Sequence, residues 1–195
     1  MRNPIRLKNL KLRFALLYGL GILAVIFLRP HPLSIGVGGG LVILGAALRG
    51  WGAGHLVKNI CLTVTGPYAH LRHPLYAGTL LVGTGFALIA GGPASLLLMA
   101  VFLPWFFMRY FPRKERIESE RLVLLYGDRY ACYRDAVPAL LPAFRAWRPR
   151  VDEVVGEEFS RSWNSQRYVD NNELGTLIAL LAGLLVLALR AQFGP

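Results

Sequence analysis

Long apolar runs separated by short polar segments are the main pattern along this chain. Five runs are almost free of charged residues, at positions 14–28, 33–48, 75–90, 94–111 and 174–189. A helix that crosses the hydrocarbon core of a bilayer, which is about 30 Å thick, needs roughly 17 to 25 mostly apolar residues. The pattern therefore predicts an all-α, polytopic membrane protein with about five transmembrane helices.

The residues within and between the runs indicate how these helices connect. Gly91, Gly92 and Pro93 separate the third run from the fourth, and so short a link allows only a tight turn between antiparallel helices. The second run is rich in glycine, which permits close helix packing in membranes. The first run has a basic start but no small-residue cleavage site after Leu28, so we expect a retained helix and not a removed signal peptide.

Composition and charge exclude an ordinary soluble domain. Of the 195 residues, 54% are hydrophobic and 17% are charged, whereas soluble domains average about 25% charged residues. Disordered chains are depleted in apolar residues, so that class is excluded as well. The formal net charge is +11, and all eleven carboxylates lie at or after Glu115, while the residues before it contain twelve Lys or Arg.

The basic residues also predict an orientation, because loops rich in Lys and Arg stay in the cytoplasm. With the N-terminus inside, twenty of the twenty-two basic residues fall in cytoplasmic segments, and only Arg29 and Arg190 fall outside. The positive charge then follows from topology and from attraction to anionic membrane lipids, and it does not imply a nucleic-acid partner. Cys61 and Cys132, both on the cytoplasmic side, are expected to be reduced thiols.

We expect four segments along the chain. Residues 1–54 form an N-terminal transmembrane hairpin, and residues 55–142 form a core of two transmembrane helices with two polar segments. Residues 143–172 form a cytoplasmic linker that is rich in Arg, Pro, Trp and acidic residues. Residues 173–195 form a C-terminal transmembrane helix, which either supports the fold or mediates self-association.

Two polar segments on the same predicted side of the membrane carry the candidate chemistry. In the first, residues 65–78, Pro74 suits the first turn of a helix and holds His73 in an extended conformation before it. Such a helix end has free N–H groups and a partial positive charge, which favour a carboxylate or phosphate. In the second, after the fourth run, Glu115 and Glu118 are the first carboxylates of the chain, so one of them is the best candidate for contact with a cationic or amine-bearing ligand.

Other interpretations of these segments stay open. A His-Pro pair can simply end a loop, and the charged segment is typical of a solvated interfacial helix. His55 and His70 could bind a metal together with His73, but no carboxylate or Cys completes a recognised ligand spacing, so no metal is expected. The sequence has no phosphate-binding loop, no dinucleotide-binding glycine pattern and no Ser-His-Asp order.

Between positions 58 and 142 these segments contain an ordered set of residues. They are Gly66-Pro67-Tyr68, Arg72-His73-Pro74-Leu75-Tyr76-Ala77-Gly78, Glu118 with Leu122, Tyr126-Gly127, Tyr130, Tyr133, and Val137-Pro138 to Leu141-Pro142. In this order the set resembles the isoprenylcysteine carboxyl methyltransferase family and its relatives, the phospholipid methyltransferases and other small integral-membrane methyltransferases.

The resemblance implies an enzyme that uses S-adenosylmethionine, bound in a cytoplasmic cofactor pocket. By motif match, the residues that would hold the cofactor are Lys58, Ile60, Cys61, Leu62, Thr63, Tyr68, His73, Pro74, Leu75, Tyr76 and Glu118. In the family a basic residue four positions before that Glu holds the substrate, and here the candidates are Lys114 and the adjacent Arg113. The sequence departs from the family at Ser119, where many relatives have a second Glu, and from Ala143 onward, where the family has no counterpart.

The function that the resemblance implies is methyl transfer to a lipid-like acceptor, above all to the carboxylate of a prenylcysteine-type substrate. An ionised carboxylate needs no general base, whereas an amine has to lose a proton, and Glu118 or Glu115 would then have to accept it. The alternatives are a phospholipid amine or a small thiol as acceptor, an NADPH-dependent membrane reductase of the sterol-reductase type, and a non-enzymatic membrane protein. Sterol-type reductases carry a similar Arg-His-Pro-x-Tyr segment but usually have more membrane helices than this chain.

Overall fold

The computed structural model describes residues 28, 30–57, 61–148 and 162–193. Seven α-helices follow one another in these ranges: α1 (Pro32–His55), α2 (Pro74–Ile89), α3 (Gly92–Trp105), α4 (Phe111–Tyr126), α5 (Asp128–Ala136), α6 (Ser165–Asp170) and α7 (Glu173–Phe193). A 3-10 helix, Gly66–Ala69, lies between α1 and α2, and a π-helical turn, Phe106–Tyr110, joins α3 to α4. The all-α prediction is confirmed for the described residues.

Local sequence sets where the helices begin. α1 follows His31, whose ring Nδ1 accepts a hydrogen bond from the Leu33 N–H at 3.3 Å, while the His31 N–H donates to Ser34 Oγ at 3.0 Å. α2 begins at Pro74, where the missing N–H is not needed. α5 begins after Gly127, which has a φ of 53° and ends α4 as the sequence predicts.

The predicted tight turn between α2 and α3 is confirmed. Gly91 and Gly92 both have positive φ, at 70° and 50°, a conformation that residues with a Cβ rarely adopt. Pro93 follows at the first turn of α3. The two helices therefore form a hairpin and pack against each other.

The apolar helix α3 and the charged helix α4 form one continuous helix of 35 residues, Gly92–Tyr126. At the junction the Phe111 N–H donates to the carbonyl oxygen of Phe106, five residues earlier. This π-helical turn lies between Pro104 and Pro112, two residues that cannot donate a backbone hydrogen bond. The charged residues of α4 are therefore held rigidly at the end of an apolar helix.

Two pairs of glycines hold α1 and α2 at close range. A Cβ on Gly38 would lie 2.5 Å from the carbonyl oxygen of Gly85, and a Cβ on Gly45 would lie 2.7 Å from that of Gly78. Neither distance leaves room for a methyl group, so the two backbones are in direct contact, as small residues allow in membranes. The expectation of close packing in the second apolar run is confirmed, and this contact fixes the end of α1 next to the start of α2.

Buried charges join the C-terminal helix to α1 and α2. Arg49 of α1 donates to both carboxylate oxygens of Glu173, with 3.0 Å between Nε and Oε2. Its Nη1 also donates to the carbonyl oxygen of Leu75 at 3.1 Å and to Thr79 Oγ1 at 2.6 Å. Asn171 donates to two carbonyl oxygens at the end of α1, at 2.9 and 3.1 Å. Arg49 therefore links the start of α7 to the first turns of α2.

Both described ends of the expected linker contact the rest of the protein. The Trp147 N–H donates to the carbonyl oxygen of Ala69 at 2.8 Å. On the far side of the undescribed residues 149–161, Trp163 Nε1 donates to the carbonyl oxygen of Gly50 at 3.0 Å. Both described ends of the predicted linker are therefore packed against the helical part of the protein.

Three helices in the described ranges are long and apolar enough to cross a membrane: Pro32–His55, Gly92–Tyr126 and Glu173–Gln192. Helix α2 is also apolar, but its 16 residues fall below the length of roughly 17 to 25 residues that a span requires. The helix predicted at 14–28 lies outside the described residues except for Leu28. The lengths indicate an integral membrane protein, while the number of five helices and the orientation stay predictions.

Candidate active site

A cavity of about 340 Å³ lies where the start of α2 faces α4 and the loop after α1. Small-molecule sites usually enclose about 300 to 1,000 Å³, so one cofactor-sized molecule is within its capacity. Its walls combine aromatic, aliphatic and charged side chains. They are Leu56, Val57, Cys61, Leu62, Thr63, Tyr68, Arg72, His73, Pro74, Leu75, Tyr76, Glu118, Arg121, Leu122, Leu125, Tyr126 and Tyr133.

Nine of the eleven residues predicted to hold the cofactor line this cavity. They are Cys61, Leu62, Thr63, Tyr68, His73, Pro74, Leu75, Tyr76 and Glu118. Lys58 and Ile60 lie outside the described residues. The fold therefore brings together two segments that α2 and α3 separate in the sequence.

The two predicted substrate anchors occupy a different position. Lys114 and Arg113 are exposed on α4 and are not among the residues that line the cavity. The charge of Lys114 nevertheless acts on Glu118, one helical turn further along. The predicted role of these two residues stays a prediction.

Glu118 is the acidic residue of the cavity wall and lies on α4, beyond the apolar part of the continuous helix. The Tyr76 hydroxyl donates a hydrogen bond to its Oε1, and His73 Nδ1 lies 3.5 Å from its Oε2. Burial alone raises the pKa of the Glu118 carboxyl. Hydrogen bonds from His73 and Tyr76 and the charge of Lys114 lower it, so that its pKa lies below the ordinary value of a carboxyl group. The site therefore presents an ionised carboxylate at neutral pH.

Arg72 and His73 share a second carboxylate, that of Glu115. Arg72 Nη2 lies 2.9 Å and His73 Nε2 lies 3.8 Å from Glu115 Oε1. Within the described part of the chain, Arg72 Nε, Arg72 Nη1 and His73 Nε2 are buried and have no hydrogen-bond partner. A buried donor left without a partner costs about 1–3 kcal/mol, and more when the group is charged. These atoms are therefore where a polar ligand group would gain most.

The backbone of the Arg72-His73 segment is held by the loop after α5. The Arg72 N–H donates to the carbonyl oxygen of Pro138 at 2.8 Å, and the His73 N–H donates to that of Ala139 at 3.1 Å. The His70 carbonyl oxygen accepts from the Ala143 N–H at 2.8 Å. These bonds give the Val-Pro to Leu-Pro tail of the matching set a physical role, because the tail fixes the loop that begins α2.

Tyrosines fill the space beneath the cavity. Tyr130 and Tyr133 are both buried in one apolar cluster, and the Tyr133 hydroxyl donates to the carbonyl oxygen of Tyr68 at 2.8 Å. Burial raises the pKa of the Tyr68 hydroxyl, so that group stays neutral. Ser119 lies 2.7 Å from the Tyr130 hydroxyl and forms a hydrogen bond with it. Ser119, where many relatives have Glu, is here a packing partner of α5.

Aromatic rings from the π-helical turn and α4 pack against the first turn of α2. The ring of Phe111 meets His73 edge-on at 5.6 Å and Tyr76 at 6.2 Å between centroids, and Tyr110 meets Tyr76 at 5.9 Å. Phe111 is itself buried. The π-helical turn thus places apolar rings directly behind the two residues that contact Glu118.

Comparison with known proteins agrees with this geometry. Residues 35–129 match the model of the phospholipid methyltransferase family. The resemblance to membrane methyltransferases is confirmed. The match covers every lining residue of the cavity except Tyr133, so the methyltransferase-like segment contains the cavity almost entirely.

Two curated relatives of this methyltransferase-like segment are named protein-S-isoprenylcysteine O-methyltransferase. The relative from Schizosaccharomyces pombe is 32% identical over 53% of this chain and 47% of its own length. The Arabidopsis thaliana relative, named protein-S-isoprenylcysteine O-methyltransferase B, is 30% identical over 52% of this chain and 56% of its own length. The chain thus spans about half the length of the curated relatives it matches. No solved structure matches the chain.

Several lining residues of the methyltransferase-like segment were not predicted as site residues. On α4, positions 121, 122, 125 and 126 follow Glu118 at intervals of three, four, seven and eight, which is one face of a helix. This periodicity was the signal that could have found Arg121, Leu122, Leu125 and Tyr126. Arg72 precedes His73 in the matching set, and its position beside the predicted cofactor residues was the corresponding signal.

Proposed function

We propose that the chain is a multi-pass integral-membrane methyltransferase that transfers a methyl group from S-adenosylmethionine to the carboxylate of a prenylcysteine-type acceptor. The observation that carries the proposal is the convergence of nine residues, chosen by motif match alone, on one cavity around the Glu118 carboxylate. The names of the two curated relatives support the same acceptor class. The distribution of Lys and Arg supports a cytoplasmic N-terminus and a cytoplasmic cofactor site.

The residues of the cavity fit the cofactor in chemical character. Ionised Glu118 complements an ammonium group or ribose hydroxyls, and Arg72 complements a carboxylate. The aromatic faces of Tyr68 and Tyr126 and the five leucine side chains of the wall suit an adenine ring. Arg72 Nε and Nη1, which have no partner in the described wall, are donors that a bound polar molecule would satisfy.

When bound, S-adenosylmethionine supplies an electrophilic methyl group on a sulfonium. In-line transfer needs the acceptor oxygen about 3 to 3.5 Å from the methyl carbon, so the protein contributes mainly by positioning and by excluding water. Glu118 stays ionised and holds no proton for the reaction. A carboxylate acceptor is already a nucleophile, so its methylation requires no general base from the cavity wall.

The acceptor enters from the membrane side in this proposal. α3 carries exposed apolar side chains such as Leu97, Val101 and Trp105, which suit contact with lipid. The polar cofactor enters from the opposite, cytoplasmic end, where α4 is charged. Lys114 and Arg113, exposed near Glu118, then anchor the acceptor at the rim of the cavity.

Calorimetry on the purified full chain in detergent tests the proposal. Titration with S-adenosylhomocysteine should give saturable heat, and titration with NADPH should give none. Heat with NADPH alone would favour the reductase alternative. No heat with either ligand would contradict both the methyltransferase and the reductase interpretation.

A matched pair of variants on α4 tests the location of the site. Glu118→Gln should weaken S-adenosylhomocysteine binding about 10-fold or more, because a hydrogen bond to a charged group contributes about 1.5–3 kcal/mol. Glu120→Gln is the control, since Glu120 is exposed and lies outside this cavity. His73→Ala should weaken binding as well. Equal affinity in all three variants and the wild type would mean that the cofactor binds elsewhere.

A further inference from the structure

We propose that Arg72 is the carboxylate-binding residue of the cavity, either for the amino-acid part of the cofactor or for the acceptor. This inference rests on the proposed methyltransferase function and names a ligand contact within its site. It gives Arg72 a binding role that the motif match does not assign to it.

The position of Arg72 is the first argument. Its side chain lines the cavity together with those of His73 and Tyr133, and only 12% of it is exposed to solvent. Its backbone N–H is held by Pro138 at 2.8 Å, so the residue is fixed at the wall and is not a mobile surface arginine. A cation in this position faces whatever the cavity binds.

The hydrogen bonds of the guanidinium are the second argument. One nitrogen of the Arg72 guanidinium, Nη2, pairs with Glu115 Oε1 at 2.9 Å. The other two nitrogens, Nε and Nη1, are buried and have no hydrogen-bond partner in the described ranges. A guanidinium has five donors, and the ion pair with Glu115 engages only one of its three nitrogens. Rotation about the aliphatic torsions of the side chain would present these donors to a ligand in the cavity.

Among the described residues, the other cations near the site do not offer the same chemistry. Lys114 and Arg113 are exposed and outside the cavity wall, and Arg121 lines the cavity but is exposed to solvent. Arg49 is bound to Glu173. The planar guanidinium of a largely buried Arg binds a carboxylate through two directed hydrogen bonds as well as through its charge. The hydrated ammonium group of a flexible Lys offers the charge without that fixed geometry.

Binding and kinetic measurements on Arg72→Gln distinguish the two sources of the carboxylate. The probes are S-adenosylhomocysteine, 5′-methylthioadenosine, which lacks the amino-acid part, and a farnesylated N-acetylcysteine as acceptor. Loss of a charged hydrogen bond should weaken the affected step about 10- to 100-fold. Arg116→Gln is the control for loss of a positive charge, because Arg116 is exposed and lies outside this cavity.

Two results support the inference and identify the source. Weaker binding of S-adenosylhomocysteine with unchanged binding of 5′-methylthioadenosine assigns the carboxylate to the cofactor. Unchanged binding of both nucleosides with a raised KM for the farnesylated acceptor assigns it to the acceptor. Partial recovery in Arg72→Lys, which keeps the charge without the planar fork, is expected in either case.

Two other results overturn it. Wild-type affinities and KM in Arg72→Gln would show that no ligand carboxylate contacts this residue. Equal weakening of both nucleosides would show that Arg72 only supports the cavity. If the wild type itself fails to bind S-adenosylhomocysteine, the proposed function fails, and the two failures are therefore distinguishable.

A second variant guards against misfolding of the first. Arg72→Gln leaves Glu115 without its ion-pair partner, whereas Arg72→Gln/Glu115→Gln removes both charges and keeps a hydrogen-bonding pair. Because the inference concerns the ligand and not the ion pair, the double variant should show the same loss of carboxylate binding. Recovery of wild-type binding in the double variant would overturn the inference.

Discussion

The contact between α1 and α2 gives a sharp prediction, because adjacent glycines on α1 differ completely in their surroundings. A Cβ on Gly38 would lie 2.5 Å from the carbonyl oxygen of Gly85 and 2.7 Å from Ile89 Cγ1. A Cβ on Gly39 would have no neighbouring atom within 4 Å. Both variants therefore add one methyl group to α1. In Gly38→Ala the methyl group meets packed atoms, and in Gly39→Ala it enters open space.

The magnitude follows from two opposing effects. Alanine favours a helix over glycine by up to about 1 kcal/mol, and this gain is common to both variants. Forcing an extra carbon into a packed contact costs about 1–3 kcal/mol, and this cost applies only to Gly38→Ala. The difference between the variants is therefore about 1–3 kcal/mol, which for a chain of this size corresponds to about 2 to 12 °C in Tm.

Thermal unfolding of both variants in detergent, followed by tryptophan fluorescence, measures this difference directly. We expect Gly39→Ala to unfold at or above the wild-type temperature and Gly38→Ala to unfold below it. S-adenosylhomocysteine should also bind more weakly to Gly38→Ala, because the residues just after α1 and the start of α2 both line the cavity. Equal stability of the two variants would refute the packing of α1 on α2 described above.

Three further predictions concern charged residues. The pKa of Glu118 is lowered in the folded protein, so its ionised form is present across neutral pH and is lost only as the pH falls through that lowered pKa. Calorimetry should therefore give a constant affinity for S-adenosylhomocysteine between about pH 6 and 8. A fall in affinity within this window would contradict the role assigned to Glu118. Glu173→Ala leaves buried Arg49 without its ion-pair partner and should lower the free energy of unfolding by about 3–5 kcal/mol. Arg49→Met/Glu173→Met should recover most of that loss in thermal unfolding. Equal losses of stability in both variants would show that the unpaired charge does not cause the loss. Lys114→Ala should raise the KM for a farnesylated acceptor and leave the affinity for S-adenosylhomocysteine unchanged, and the opposite result would move Lys114 from the acceptor to the cofactor.

The helices could be predicted from the sequence because apolar runs and helix-ending residues are local signals. The four described apolar runs, the turn at Gly91 and Gly92 and the short helix after Gly127 appear at the predicted positions. The continuity of α3 with α4 was not predicted, because a π-helical turn depends on backbone bonding around Pro104 and Pro112 that has no simple sequence pattern.

The candidate site was predictable in part for a different reason. His73, Tyr76 and Glu118 were found through an ordered motif, which carries information about three-dimensional proximity that local patterns lack. Arg72 belongs to the same motif, yet its burial and its unpartnered nitrogens depend on the loop at residues 138–139, which is distant in the sequence. Contacts between distant segments decide which motif residues face the ligand, and periodicity alone does not contain them.

The ion pair between Arg49 and Glu173 has a consequence for how the protein is made. The two residues are 124 positions apart, so the ribosome delivers α1 to the membrane long before the partner of Arg49 exists. Arg49 lies in the last two turns of α1, on the predicted cytoplasmic side, where a long side chain can reach the headgroups. The nascent chain therefore lacks the carboxylate partner of Arg49 until α7 is made, and formation of the ion pair completes the packing of α7 on α1. A chain that stops before Glu173 leaves the Arg49 guanidinium without its carboxylate partner and bonded only to Leu75 and Thr79.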